Sequence, residues 1–395
     1  MSITPNSQQR HAIEEGKKWW KLQNKQIFTI AGYAGTGKTT LVRWILEACN
    51  ISIEEGAYVA FVGKAAMVLS MKGLPARTIH STIYECIDVP KRDENGEIIK
   101  IHDKIVMTKK FVLKSSLPDT IKVIVVDEGS MVDDRLMKDL KSFGIPIIVL
   151  GDLHQLPPVF GRSSCMMHPD VVLSEIMRQD EGNPIIHFAT MARECKWNEF
   201  RYGSYGGKVF IAPKEQIMAS EKLLRNSNVI LCAFNKTRSE LNKYVREEIY
   251  HMPKNNIGIG EKLICRENCW DLQLDDIVYL TNGMIGYVTN INYEDSTKNG
   301  LVFDFRPEFV QDACFEEIIL DWHYLNDLSY EERKDYIAEH IKFEHGYVIT
   351  CHLAQGSQYD SVLIYNEYMR RSAEDYSKWL YTAITRAVNR LVIAI

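Results

Sequence analysis

The chain has 395 residues, 46% hydrophobic and 25% charged, a balance and length that suit two or three globular domains with sizeable cores. A formal net charge of −5 excludes a protein held on nucleic acid by bulk charge, but leaves room for a locally basic groove. No apolar run approaches the roughly 18 residues of a membrane span, and the start, MSITPNSQQRH, lacks the regions of a secretory signal, so a cytoplasmic protein without membrane attachment is expected.

In chain order, QIFTIA (26–31) reads as a buried strand that runs into a glycine loop, and TTLVRWILEACN follows as a helix. YVAFVG (58–63) is a second strand and KAAMVLSMKG a second helix. The polar stretch VPKRDENGEIIKIHDKIVMTKK (89–110) carries Asn95-Gly96 between strand-like flanks, which signals a hairpin. IKVIVVDE (121–128) and PIIVLGD (146–152) are apolar runs that end in acid. A similar pattern returns later, with NVILCAF (228–234), the helix NKTRSELNKYVREEIY, and the strands GYVITC, SVLIYNE and RLVIAI around the helix KWLYTAITRAV. Strands that are apolar throughout and separated by helices mean parallel sheets covered on both faces, so two α/β units are expected. Within the second of these, residues 265–345 alternate in short strand-like runs, turn at Asn282-Gly283, and include a charged helical stretch, SYEERKDYIAEHIKFEH. That reads as a small all-β insertion.

Nine cysteines are scattered along the chain. Cys265 and Cys269 are a close pair with no nearby His or Cys pair to complete a zinc site, so free thiols are expected rather than a metal centre.

The chemistry starts at GYAGTGKTT (32–40). Gly32, Gly35, Gly37, Lys38 and Thr39 fill the G-x-x-x-x-G-K-[ST] pattern, in which backbone N–H groups wrap phosphates at a helix N-terminus. Ala34, Thr36 and Thr40 complete that cradle. Lys38 would reach the β- and γ-phosphates of ATP, and the Thr39 hydroxyl would bind Mg²⁺. Asp127 can hold the metal through water, and Glu128 can activate the attacking water. A small-molecule kinase needs no such adjacent glutamate; a hydrolase does. GDLHQLPPV (151–159) places Gln155 as a γ-phosphate sensor. LSEIMRQ supplies Arg178 and LYTAITRAVNRL supplies Arg386, arginines suited to stabilise transition-state charge from across a cleft. Opening and closing of such a cleft with hydrolysis makes a motor.

In this order the motifs resemble the superfamily-one helicases, in the RecD-like and Dda-type branch. The resemblance spans nearly the whole chain: TPNSQQRHAI, GYAGTGKTT, VGKAAMVL with ARTIHS, VVDEGSM, GDLHQLPPV, LSEIMRQ, HLAQGSQYD and YTAITRA. It implies two RecA-like domains, the first over 1–170 with a pin hairpin at about 86–114, the second over 171–264 and 346–395, and an SH3-like insertion over 265–345. It further implies that Gln9 reads the adenine edge, and that Lys64, Thr78, His80 and His352 face DNA. The implied activity is ATP-driven 5′ to 3′ movement on single-stranded DNA with duplex separation at single-strand/duplex junctions, in replication, recombination or repair. Single-strand-binding or replisome proteins are the implied partners, and a phage or bacterial monomer is the implied form. Three departures stand out. Gly129 replaces the usual alanine, a small-for-small change expected to matter little. Leu353 and Ala354 stand where a lysine is common, and VGKAA replaces a Pro-Thr-Gly form. Two other readings remain: a DNA-stimulated translocase that remodels nucleoprotein complexes with little unwinding, and a small-molecule kinase or nucleotide switch indifferent to DNA.

Overall fold

The structure, a computed structural model, describes residues 4–395 apart from 91, 93–95, 99, 102–103, 106, 158–162, 176–181, 255, 275–277, 311–312, 327, 330, 335 and 369–371. The chain forms two compact units: Met1–Leu153 with Pro157–Arg178, and His154–Leu156 with Gln179–Ile395.

The first unit is built on a six-stranded sheet, in the order Val171–Leu173, Ile27–Gly32, Ile147–Gly151, Val123–Asp127, Gly56–Ala60 and Ala76–Thr78. All of its pairings are parallel. The apolar runs take this form because successive side chains serve opposite cores. Val123 and Val125 pack in one cluster with helices Ser7–Leu22 and Lys38–Ala48, while Ile124 and Val126 pack in another with helix Asp134–Lys141. Strand Val171–Leu173 bonds to Ile27–Gly32, so sheet one continues past the expected domain boundary at 170.

An antiparallel hairpin leaves this unit, with Tyr84–Pro90 paired to Met107–Leu113 from Tyr84 opposite Leu113 to Pro90 opposite Met107. Asn95 of the expected Asn95-Gly96 turn lies outside the described residues, and an Arg92–Ile98 bridge flanks its place in the sequence. Lys100–Ile101 pairs separately with Lys104–Ile105.

The second unit has a six-stranded sheet in the order Gly203–Tyr205, Val209–Ala212, Ala387–Ala394, Tyr359–Tyr365, Val229–Cys232 and Val348–Thr350. Its first pair is antiparallel and the rest are parallel. The β-rich insertion adds a five-stranded antiparallel sheet: Phe315–Asp321, Gly300–Pro307, Ile285–Asn292, Lys262–Cys265 and Phe343–His345. Its first strand starts at Lys262, three residues before the expected edge of the insertion.

The charged stretch 329–345 is not a helix. Among its described residues there is one 3₁₀ turn, Glu332–Lys334, and then the strand Phe343–His345. Two tertiary anchors override its helical composition. The Tyr336 hydroxyl donates to Asp321 at 3.2 Å, and Phe343 is fully buried edge-on against Phe303 and Phe305. Phe343→Ala is therefore expected to destabilise the insertion by about 3–5 kcal/mol, seen as a lower urea midpoint and faster amide exchange over 262–345 than in the first unit.

Candidate active site

In a parallel sheet every strand ends at the same edge. At that edge of the first unit stand, strand by strand, the glycine loop after Gly32, Asp152 after Gly151, the Asp127–Glu128 pair, Lys64 after Ala60, and His80 after Thr78. Neighbouring strands lie about 4.8 Å apart. The acidic pair thus lies about 10 Å from the loop strand, and the Thr78–His80 strand about 19 Å. One edge carries two separate stations.

The glycine loop is a formed cradle. Gly35 and Gly37 have φ of 83° and 78°, the left-handed region open to glycine. A Cβ on Gly32 would lie 2.7 Å from the Thr36 hydroxyl and 3.1 Å from Leu173 Cβ. The Lys38 ammonium donates to the carbonyls of Gly32 at 2.6 Å and Tyr33 at 3.1 Å, and Thr36 Oγ donates to Tyr33 O at 2.9 Å. Thr39 and Thr40 begin the following helix, Lys38–Ala48. These groups fit a triphosphate.

Gln9 is 2% exposed and is held at both ends of its amide. Its Oε1 accepts from Asn6 N at 3.0 Å, closing a capping box on helix Ser7–Leu22, and its Nε2 donates to Thr36 O at 3.1 Å. The observed contacts make it a brace between that helix and the glycine loop.

Asp127 accepts from the Glu128 amide at 2.9 Å. Glu128 has φ 51° and ψ 43°, a left-handed backbone that a glutamate adopts at a cost and that concentrates at functional sites. Gly129 is more than a small residue here. A Cβ would lie 2.3 Å from Val149 Cγ1 and 3.1 Å from Leu150 O, and Val149 is fully buried. The expected harmless exchange with alanine is thus a steric conflict.

At the far station, Thr78 caps the short helix Ile79–Ile83, its hydroxyl accepting from Ser81 N at 3.1 Å. His80 stacks on Tyr84 with centroids 5.5 Å apart and meets Phe61 and Phe111 at 6.2 and 5.6 Å. Tyr84 and Phe111 belong to the two arms of the hairpin. Lys114, just beyond the second arm, donates to the Thr82 carbonyl at 2.8 Å, and the Tyr84 hydroxyl donates to Asp139 at 2.5 Å. The hairpin is therefore rooted on the histidine motif. Its arms expose Ile87, Met107, Phe111 and Val112. Lys64 lies in helix Gly63–Met71.

In the second unit, His352 follows the carboxyl end of strand Val348–Thr350, whereas Arg386 immediately precedes strand Ala387–Ala394. Because those strands run parallel within one sheet, the two residues sit at opposite edges. Arg386 is 3% exposed, with Nε on Thr382 O at 3.1 Å, Nη1 on Ser357 O at 3.0 Å and Nη2 on Thr385 Oγ1 at 3.3 Å. Gln155 is buried too, and its Oε1 has no hydrogen-bond partner among the described residues. The tripeptide His154–Leu156 packs with this unit. The Leu156 amide donates to the Thr382 hydroxyl at 3.0 Å, and Gln355 Nε2 donates to the Leu156 carbonyl at 2.9 Å. Sequence reasoning quoted the motifs of Gln355 and Thr382 but chose His352 and Arg386 from them. Arg178 lies outside the described residues.

Residues 4–198 match the AAA domain family and residues 345–394 match the UvrD-like helicase C-terminal domain. The chain thus carries an AAA domain followed by a UvrD-like helicase C-terminal domain. Among curated relatives, the ATP-dependent DNA helicase dda of Enterobacteria phage T4 is 29% identical over 62% of this chain and 57% of its own length. The ATP-dependent RecD2 DNA helicase of Deinococcus radiodurans is 28% identical over 43% of this chain and 22% of its own length. This chain thus spans less than two thirds of either relative. Crystal structures of Pif1 helicase from Candida albicans and of Bacteroides Pif1 bound to ssDNA share the fold. Their TM-scores are 0.54 and identities 17%, over 100% and 97% of this chain and 94% and 92% of theirs. Family membership carries nucleotide use with it. Among the described residues no helix is long and apolar enough to cross a membrane, and no group of three or more His, Cys, Asp or Glu side chains could hold a metal.

Two predictions follow from the packing. Gly129→Ala should lower stability by about 1–3 kcal/mol, read as a drop in urea midpoint at unchanged slope. Burial pushes the His80 imidazole below its ordinary 6.5, only partly opposed by Asp133. Its neutral form then stabilises the fold above that ordinary value, and this contribution is lost as pH falls through the folded pKa. Between pH 7.5 and 5 the urea midpoint should fall more for the wild type than for His80→Gln.

Proposed function

We propose that the chain is an ATP-driven DNA helicase that moves 5′ to 3′ along single-stranded DNA and separates duplex at a junction, working as a monomer in replication, recombination or repair. The observation that carries this reading is the shared edge of the first sheet, where a formed triphosphate loop and acidic pair lie apart from a histidine station that roots an exposed hairpin. That the dda and RecD2 relatives are ATP-dependent DNA helicases supports it.

In this reading the loop from Gly32 to Thr40, including Ala34, Gly35, Thr36, Gly37, Lys38 and Thr39, binds ATP, with Gln9 at the adenine edge. Thr39 and Asp127 would hold Mg²⁺. Bound MgATP supplies the free energy of γ-phosphate hydrolysis. Lys38 neutralises phosphate charge, Glu128 takes the proton of the attacking water, and Gln155 reports whether the γ-phosphate is present. Arg178 and Arg386 stabilise the transition state. Lys64, Thr78, His80 and His352 grip the strand through backbone and stacking contacts that read no sequence. The residues at about 86–114 form the separating pin, and 265–345 form an SH3-like enclosure for DNA.

The test is strand separation on forked duplexes. A 5′ single-stranded tail should support unwinding, a 3′ tail should not, and Lys38→Ala should abolish it. Unwinding from the 3′ tail alone would overturn the polarity. Shortening 91–100 should remove unwinding and spare DNA-stimulated hydrolysis. Unwinding that survives this deletion would remove the pin assignment, and a wild type that hydrolyses without unwinding would favour the translocase.

A further inference from the structure

The proposed function leaves unused a charged interior of the second unit. Helix Asn235–Tyr244 runs into a π-turn, Val245–Ile249, an irregularity that often marks functional sites. These two elements carry Arg238 and Arg246, each 3% exposed.

The two arginines are treated differently. Arg246 is fully engaged, ion-paired with Glu261 and donating to the carbonyls of Pro253 and Asn256. It has the surroundings of a structural arginine. Arg238 instead shares one carboxylate, Glu344, with two more guanidiniums. Arg238 Nη1 pairs with Glu344 Oε2, Arg266 Nε lies 3.3 Å from the same oxygen, and Arg333 Nη1 lies 3.3 Å from Oε1. Burial alone would push the Glu344 carboxyl up, but Arg266, Arg238 and Arg333 outweigh it and hold the group below its ordinary value. Among the described residues, three cations on one anion leave two positive charges in excess. Arg238 Nε, Arg266 Nη1 and Arg333 Nε are buried and have no hydrogen-bond partner among the described residues. Native interiors rarely leave donors or charge so unbalanced.

An open cavity of about 260 Å³ adjoins the cluster. Arg238, Lys243, Arg246, Lys254 and Arg333 line it against the carboxylates of Glu247 and Glu344. Lys254 stands 4.0 Å from Glu247, and Arg246 is neutralised by Glu261. Among the described lining residues, what remains is Arg238, Arg333 and Lys243 against Glu344, so that part of the wall keeps the excess. Guanidiniums are suited to tetrahedral oxyanions, which they can bond at several oxygens at once.

We propose that this cavity binds a phosphate group, either of a small phosphate or of a nucleic-acid backbone, and that the phosphate balances the Arg238–Arg266–Arg333 cluster. The test uses the full chain carrying Lys38→Ala, so that the glycine loop does not answer for the cavity. Inorganic phosphate is titrated at constant ionic strength against chloride while the thermal midpoint is followed. A saturable rise is expected, with half-saturation shifted about tenfold or more by Arg238→Gln and severalfold by Lys243→Gln. Lys243 is exposed on its helix, so that variant decides the matter if the buried one fails to fold. Salt dependence of binding to a single-stranded oligonucleotide then separates the sources. A slope lower by about one in Lys243→Gln identifies a backbone phosphate. An unchanged slope, with the inorganic phosphate effect weakened, identifies a small phosphate. No saturable rise beyond chloride, or the same rise in both variants, would overturn the proposal and leave the cluster purely structural.

Discussion

The first unit depends on one constraint: strands of a parallel sheet all finish at one edge, and their order fixes what lies next to what. The glycine loop and the acidic pair are two strand spacings apart, near enough for one nucleotide and its metal to meet both. The histidine station is four spacings away, too far to touch a triphosphate. Within the proposed function, the separation of chemistry from grip is thus a consequence of strand order rather than of loop design. The same constraint explains why Gly129 admits no side chain. It follows directly on the acidic pair, against the fully buried Val149, where the sheet's own packing occupies the space.

The far station adds a second dependence. His80, Tyr84 and Phe111 form one aromatic stack, so the residue read as a strand contact and the root of the hairpin are one packed object. Within the proposed function, a shift of the histidine motif would be passed to the hairpin without an intervening flexible segment. In the second unit, Leu156 plays a comparable part through its backbone. Its amide and carbonyl are held by Thr382 and Gln355, which brings three separate motifs together around the buried Gln155.

Most of this was legible in the residues. Uninterrupted apolar runs such as VIVVD and IIVLG can be satisfied only inside a sheet covered on both faces, and the glycine loop announces its conformation through Gly35 and Gly37. What was not legible is carried by tertiary bonds. The clasp on Leu156 joins residues about 200 positions apart through a backbone, which no spacing reveals. The stretch 329–345 has a helical composition, yet Asp321 and the Phe303–Phe305 pair claim Tyr336 and Phe343. Strand Val171–Leu173 looked like the start of a new domain because its partner, Ile27–Gly32, lies far back in the chain. Gly129 looked interchangeable with alanine because the Val149 methyl group above it is invisible to sequence. The bond from the Gln9 amide to the Thr36 carbonyl is likewise invisible to sequence.

The central claim is that hydrolysis at the glycine loop is coupled to single-stranded DNA. It is tested most directly by the rate of ATP hydrolysis with and without a single-stranded oligonucleotide, the Lys38→Ala variant serving as control. The account predicts stimulation by orders of magnitude that weakens at high salt and vanishes in the variant. A rate indifferent to the oligonucleotide would contradict it, and would return the loop and acidic pair to the class of nucleotide switches or small-molecule kinases.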